Sequence, residues 1–258
     1  MVHLGLGVNL GSVESRLFEE NVVQFPANAI NCEAGGREVR VRSMGGGSGV
    51  VSAVMDDTVS GTVKAKPFKG DRILPGLEYD PDGNLKRESL KDLGIRWRRS
   101  VGVDFSDTSG ALAAIAVVDQ TKGGKNPFWQ MLIGENPTVE IKGAAFFVRH
   151  NDETSLSGTV VSPPDAKLLY VNGEKTAQSF VRADGSLTEK IAPLRAIRIS
   201  GGDDFFIVMT IQRGEPPRVS SKGTGLGAQV SVGPAGDAGK ARRAHFDGEN
   251  VVWDSRSD

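Results

Sequence analysis

Short runs of apolar or alternating residues dominate the second half of the chain. Each run spans five to nine residues and is bounded by Gly, Pro, Asn or Asp, which is typical of β-strands joined by tight turns. From about residue 110 to residue 253 the runs recur roughly every ten residues, as in sandwiches and barrels. The predicted strands are Ala111–Asp119, Thr138–Lys142, Ala145–His150, Leu156–Val161, Lys167–Val171, Arg195–Ser200 and Phe205–Gln212.

Turn signals separate these runs. Asn-Gly and Asp-Gly pairs favour the positive φ angles of hairpin turns, and the glycine cluster Gly223–Gly227 favours a loop or bulge. Helical spacing occurs only in Ser12–Phe25, and Ser89–Leu93 is a turn at most. The pattern therefore predicts an all-β, antiparallel β-sandwich with few short helices. The predicted turns are Asp82-Gly83, Asn172-Gly173, Asp184-Gly185 and Asp247-Gly248.

The two halves of the chain differ in regularity. Residues 1–95 are rich in glycine and weakly periodic, whereas residues 96–258 have the pattern of a strand meander. A domain boundary near residue 95 is one alternative. We favour a single β-sandwich domain over residues 1–258, in which the less regular N-terminal segment, residues 1–95, packs on the meander of residues 96–258.

Composition and charge exclude several classes of protein. The chain has 258 residues, of which 38% are hydrophobic, and a formal net charge of −1, so disorder is not expected. The balance of 31 basic and 32 acidic residues argues against a nucleic-acid binder with a broad basic field and against a polybasic membrane anchor. The longest stretch without a charged residue, Gly223–Gly236, is too short for a membrane helix. The N-terminus lacks the charged and apolar regions of a signal peptide.

No motif predicts a cofactor or a metal site. The single cysteine, Cys32, removes every cysteine-pair motif, and no Walker, HExxH or GxSxG pattern is present. The three histidines, His3, His150 and His245, are far apart in sequence, so the fold would have to bring them together to hold a metal.

Two residues are candidates for acid/base chemistry. His150 ends the run Phe146–His150, where it is either a hydrogen-bonded strand-end imidazole or a general acid/base beside Arg149. Tyr79 lies in a loop, where it is either exposed filler or the phenol that takes a proton from a uronate.

Cations and aromatic rings suggest a binding surface. Alternation places Arg96 and Arg98 on one strand face, and Trp97 and Arg99 on the other. The run is either an exposed strand face decorated by cation–π contacts or a docking strip for an anionic polymer. Trp129 is either a sugar-stacking platform or part of the core.

From Trp97 onward, the order of elements resembles the C-terminal β-sandwich of the heparinase II/III-like polysaccharide lyases. That family pairs a helical toroid with such a β domain and eliminates across uronic-acid linkages. The family's zinc-ligating histidine has no counterpart after Trp129, so no metal ligand is carried over. Most of the family's catalytic residues come from the toroid, whose long amphipathic helices this sequence lacks, so no catalytic residue is carried over either. The resemblance lies in Arg98–Val101, Ala114–Asp119, Phe128–Leu132, Thr138–Gly143, Leu156–Leu168, Asp203–Gly214 and His245–Gly248.

The resemblance implies a module that contacts an acidic polysaccharide or packs on a helical catalytic domain or chain, in the periplasm or outside the cell. Binding of uronate polymers predicts that Arg149, His150 and the Arg96/Arg98 pair form one exposed patch. Two alternatives stay open: a self-contained lyase that uses His150 and a tyrosine, and a structural or assembly β protein with no catalytic role.

Overall fold

The computed structural model describes residues 23–24, 31–34, 38–44, 50–62, 91–106, 108–133, 137–149, 154–181, 187–234 and 241–254. Most of them lie in strands that form three antiparallel sheets, which confirms the predicted all-β sandwich. Within these ranges there is no α-helix, and one 3-10 turn, Gly225–Gly227, occupies the predicted glycine loop.

The three sheets differ in size. A first outer sheet has the strand order β1-β7-β12-β11, a central sheet has the order β2-β4-β5-β6-β13-β10-β9-β8 with β3 also paired to β4, and a C-terminal sheet has the order β14-β15-β16-β17. The strands are β1 Val23–Gln24, β2 Asn31–Ala34, β3 Glu38–Met44, β4 Val50–Thr62, β5 Lys91–Asp104, β6 Ala113–Lys122, β7 Phe128–Leu132, β8 Thr138–Lys142, β9 Ala145–Arg149, β10 Ser155–Ser162, β11 Lys167–Val181, β12 Leu187–Ser200, β13 Asp204–Gln212, β14 Arg218–Lys222, β15 Gln229–Gly233, β16 Arg242–Phe246 and β17 Val251–Trp253.

The central sheet is covered on both faces at its middle strands, β6 and β13. Alternate residues of β6 and β13 contribute to two separate cores, one against the first outer sheet and one against the C-terminal sheet. Because both faces of these strands are buried, their sequences are nearly continuous apolar runs instead of alternating ones. The first core takes Ile115, Val117, Phe205, Ile207 and Met209, and the second takes Ala114, Ala116, Val118, Phe206 and Val208.

The C-terminal sheet lies close to the central sheet at Gly102. A Cβ atom at this position would lie 2.8 Å from Val251 Cγ1 and 3.0 Å from Trp253 Nε1. Glycine therefore lets β17 approach the backbone of β5 more closely than any side chain would permit. Beside this contact, the hydroxyl of Ser100 accepts a hydrogen bond from the Val251 N–H at 2.7 Å.

Most of the predicted runs are strands, but two turn predictions differ in outcome. Asp247-Gly248 lies in the β16–β17 hairpin, where Gly248 has a φ of +102°. Asn172-Gly173 is not a turn: it lies inside β11, at a register shift opposite β12. The positive φ of Gly173 therefore produces a β-bulge and not a chain reversal. Asp82-Gly83 and Asp184-Gly185 lie outside the described residues, although Val181 pairs with Leu187 across the latter.

The strand order in the central sheet departs from the chain order that a meander would give. β13 lies between β6 and β10, so residues 96–258 are not a simple meander. In the less regular first half, β4 is hydrogen-bonded to β5, side by side in the central sheet and not face to face with it. Val23–Gln24, the end of the predicted helix Ser12–Phe25, is a strand, and the start of that segment lies outside the described residues.

Candidate functional site

The predicted site residues are dispersed. His150 and Tyr79 lie outside the described residues. Trp129 is only 2% exposed and packs in the core between the central and first outer sheets, where no ring face is left for a sugar. Arg149 is exposed at the end of β9, with its guanidinium 5.3 Å from the centre of the Phe147 ring.

The prediction of one patch containing Arg149 and the Arg96/Arg98 pair is wrong. Four strand spacings separate β9 from β5 in the sheet order. Arg149 is also in register with the end of β13 opposite to the end that faces Arg98. Normal strand spacing and rise then place the two sites about 30 Å apart. This separation was not predictable from the sequence, because the sequence does not show that β13 lies between β6 and β10 in the sheet.

A basic cluster lies at one end of β5 and β6. Arg96 is paired in register with Lys122, and Arg98 with Gln120, so these side chains share the face that carries the C-terminal sheet. Arg96 and Lys122 are exposed, and Arg98 is half-buried. We call Arg96, Arg98 and Lys122 the β5–β6 cluster. Lys122 was not predicted as a site residue, because its position beside Arg96 depends on the strand register.

The two arginines of the β5–β6 cluster differ in their partners. Arg96 donates to the Asp92 carboxylate at 3.2 and 3.4 Å, in an exposed ion pair. The Nη1 of Arg98 is 3.5 Å from the Gly248 carbonyl oxygen, and its buried Nε has no hydrogen-bond partner. A guanidinium has five N–H donors, so the Nη groups of Arg98, unlike its buried Nε, retain donors for a carboxylate or sulfate.

The opposite face of the same strand is buried, in contrast to the exposed face considered from the sequence. Trp97 and Arg99 are each only 3% exposed. Arg99 donates to both oxygens of Asp119 at 2.7 Å, Trp97 Nε1 donates to the same carboxylate at 2.8 Å, and the guanidinium lies 5.2 Å from the indole centre. These groups therefore satisfy one another inside the protein. The sequence signal was Asp119 itself, a charged residue that ends an apolar run.

A second acidic group lies near the β5–β6 cluster. Asp204 is in register with Gln120, which is the partner of Arg98. Burial raises the pKa of the Asp204 carboxyl, the neighbouring charge of Asp203 acts in the same direction, and a hydrogen bond from the Thr121 backbone opposes both. Asp204 thus holds its proton more tightly than an exposed aspartate.

The described residues do not bring an acid/base pair together. Tyr170 packs against the core, whereas His245 lies on β16 with its Nδ1 3.3 Å from Asp254 Oδ1, so the described imidazole and phenol do not converge. Among the described residues, no group of three or more His, Cys, Asp or Glu side chains could hold a metal ion. Nor do those residues contain a helix long and apolar enough to cross a membrane.

The comparisons with known proteins give structural matches alone. No protein-family model matches the sequence, and no curated protein is similar at a significant level. In structure, the chain is similar to heparan sulfate lyase HepC from Pedobacter heparinus, with a TM-score of 0.43 and 12% identity over 83% of this chain and 28% of that one. It is also similar to a heparinase III, with a TM-score of 0.42 and 9% identity over 92% of this chain and 30% of that one. The chain thus spans about three tenths of the length of the heparinases that it matches.

Proposed function

We propose that this chain is a β-sandwich module of the heparinase II/III-like lyase type, which holds an acidic, uronate-containing polysaccharide beside a helical catalytic domain or chain. The observation that carries the proposal is the β5–β6 cluster, in which three cations share one sheet face and the Nη groups of Arg98 make one long contact, to the Gly248 carbonyl oxygen at 3.5 Å. Guanidinium groups pair with carboxylate and sulfate through parallel hydrogen bonds. The order of elements from Trp97 onward supports the same assignment.

The elimination step is assigned to the helical partner. Abstraction of a uronate α-proton needs a base of His or Tyr type, together with a cationic or amide group that neutralises the carboxylate. The described residues supply the cationic group without bringing an imidazole or phenol to it. The module therefore contributes binding and orientation of the polymer.

Affinity electrophoresis in gels that contain alginate, heparin or hyaluronan tests the binding function. The wild-type chain is expected to be retarded by at least one polymer, and Arg96→Gln/Arg98→Gln/Lys122→Gln to bind at least about fivefold more weakly, because charge-assisted hydrogen bonds are lost. Lys142→Gln/Lys167→Gln/Arg213→Gln removes the same charge from exposed positions elsewhere and is expected to bind like wild type. Lack of retardation by all three polymers would contradict the proposal.

An absorbance assay separates the module from a self-contained lyase. Elimination produces an unsaturated uronate that absorbs at roughly 232–235 nm. The chain alone is expected to produce no such absorbance with any uronate polymer. Growth of the signal that is abolished by His150→Ala or Tyr79→Phe would instead identify a complete lyase.

An assembly function is the second candidate, and exposed Leu169 favours it. This residue is 59% exposed on β11, a 15-residue strand at the edge of the first outer sheet. A long edge strand with an exposed apolar side chain is a template for pairing with another chain. Light scattering after size exclusion decides: a defined oligomer that becomes monomeric in Leu169→Lys supports assembly, and a wild-type monomer opposes it.

A further inference from the structure

The outward face of the C-terminal sheet carries a second group of cations. Alternate residues of this sheet, including Val219, Val230 and Ala244, pack against the central sheet. The intervening residues therefore point away from it. They are Arg218, Ser220, Lys222, Gln229, Ser231, Arg243, His245 and Val252, and we call them the outward face.

The cations on the outward face have no acidic partner among the described residues. Arg218, Lys222 and Arg243 are all exposed, and none of them forms an ion pair with a described residue. Asp254, at the edge of the sheet, is engaged by His245 at 3.3 Å. None of the outward positions of the four strands is occupied by an acidic residue. This arrangement differs from the β5–β6 cluster, where Arg96 already has Asp92 as a partner.

The strand register places the cations around a polar centre. Ser220 pairs with Ser231, and Ser231 pairs with Arg243, so two hydroxyl groups lie in one row with that arginine. Normal strand spacing places Arg243 about 12 Å from both Arg218 and Lys222, measured between Cα atoms. The short serine side chains between them leave a shallow surface bordered by positive charge on both sides.

This chemistry matches an anionic glycan. The cations attract carboxylate or sulfate groups, and arginine forks bind them with two parallel hydrogen bonds. Serine hydroxyls and the Gln229 amide both donate and accept, as recognition of sugar hydroxyl groups requires. The described residues of the outward face include no Phe, Tyr or Trp, the large rings on which bases of single-stranded nucleic acid stack, which favours a sugar polymer over a nucleic acid.

We propose that the outward face of the C-terminal sheet is a second binding site for an anionic polysaccharide, formed by Arg218, Lys222 and Arg243 around Ser220 and Ser231. This inference rests on the proposed function and adds a contact separate from the β5–β6 cluster. Two sites on one module bind a polymer more tightly than either site alone, because the second contact is intramolecular once the first has formed.

The test compares three charge-matched variants of the full chain on the polymer that retards wild type. Arg218→Gln/Lys222→Gln/Arg243→Gln is expected to weaken binding about tenfold and to flatten the salt dependence, because three charge contacts are removed. Lys142→Gln/Lys167→Gln/Arg213→Gln, with the same net charge, is expected to stay within about twofold of wild type, since it leaves both sites intact. The third variant is the β5–β6 triple substitution described above. Thermal unfolding of all variants confirms that they fold.

The outcomes separate the two proposals. If wild type binds and the outward-face variant binds as tightly as the charge-matched control, the second site is overturned while the proposed function stands. If wild type binds no polymer, the proposed function fails and the second site fails with it. Heparin compared with hyaluronan distinguishes sulfate from carboxylate recognition. Binding of single-stranded nucleic acid as tight as that of the glycan would overturn the glycan assignment.

Discussion

Arg242 on β16 donates its Nε to the Oδ2 atom of Asp104 on β5 at 2.8 Å, and both side chains are nearly fully buried. This ion pair joins the C-terminal sheet to the central sheet. The remaining oxygen of Asp104 accepts the Ser106 backbone N–H at 2.9 Å, so the carboxylate has partners on both of its oxygens. The contact lies within the interface between two layers, where water cannot replace a missing partner.

Arg242→Met should therefore destabilise the protein strongly. The substitution leaves the buried Asp104 carboxylate without its cation, and removal of one partner from a buried pair costs about 3–5 kcal/mol. The adjacent Arg243→Met is the matched control, because Arg243 is exposed, and its effect should stay below about 0.5 kcal/mol. Urea unfolding measures both. Equal stability of the two variants would show that the ion pair does not hold the layers together.

Two buried tryptophans differ in whether the indole N–H has a hydrogen-bond partner, which allows the contribution of that bond to be measured. Trp97 Nε1 donates to Asp119, whereas the buried Trp129 Nε1 has no hydrogen-bond partner. Trp97→Phe should thus lower the free energy of unfolding by about 1.5–3 kcal/mol more than Trp129→Phe, because its hydrogen bond is to a charged group. Both substitutions remove a similar volume from the same core. Urea unfolding measures the difference from the two midpoints, provided that the m-values are equal. Identical losses of unfolding free energy in the two variants would contradict the prediction.

Phe146 covers Gly158 on the neighbouring strand. The two residues are in register on β9 and β10, and the ring occupies the place where a Cβ at position 158 would lie. Gly158→Ala should cost about 1–3 kcal/mol, as overpacking of a core does. In a Phe146→Leu background the added methyl group has more room, so the cost should be smaller. A double-mutant cycle by urea unfolding tests this coupling, and additive effects would argue against it.

Asp204→Asn should stabilise the protein at neutral pH. Burial raises the pKa of Asp204 above its ordinary value of 3.8, so the folded state binds this proton more tightly than the unfolded state does. The favourable contribution of the protonated carboxyl is complete below the unfolded pKa and is lost as pH rises through the folded pKa. Asparagine stays neutral throughout and can keep an oxygen for the Thr121 backbone. The gain should thus appear at about pH 7 and vanish near pH 3; equal differences at both values would contradict the assignment.

The sequence predicted the strand class well because burial leaves a local record. Asp204–Gln212 is apolar nearly throughout and is buried on both faces, whereas Thr138–Lys142 alternates and exposes every second residue. Register and strand order cannot be deduced from the local sequence in this way. The pairings of Arg96 with Lys122 and of Ser231 with Arg243 depend on residues far apart in sequence, and so neither basic surface was predictable in full. The burial of Trp97 and Arg99 likewise depends on the distant carboxylate of Asp119.

The double burial of β6 and β13 restricts how the chain can be divided. A fragment that ends before β14 would leave Ala114, Ala116 and Phe206 facing water, together with the rest of that apolar surface. The four strands from Arg218 to Trp253, taken alone, would lose the surface against which Trp253 and its neighbours pack. Neither piece is a sound unit for expression or for grafting onto another protein. Any recombinant use of the two basic surfaces has to carry all three layers together.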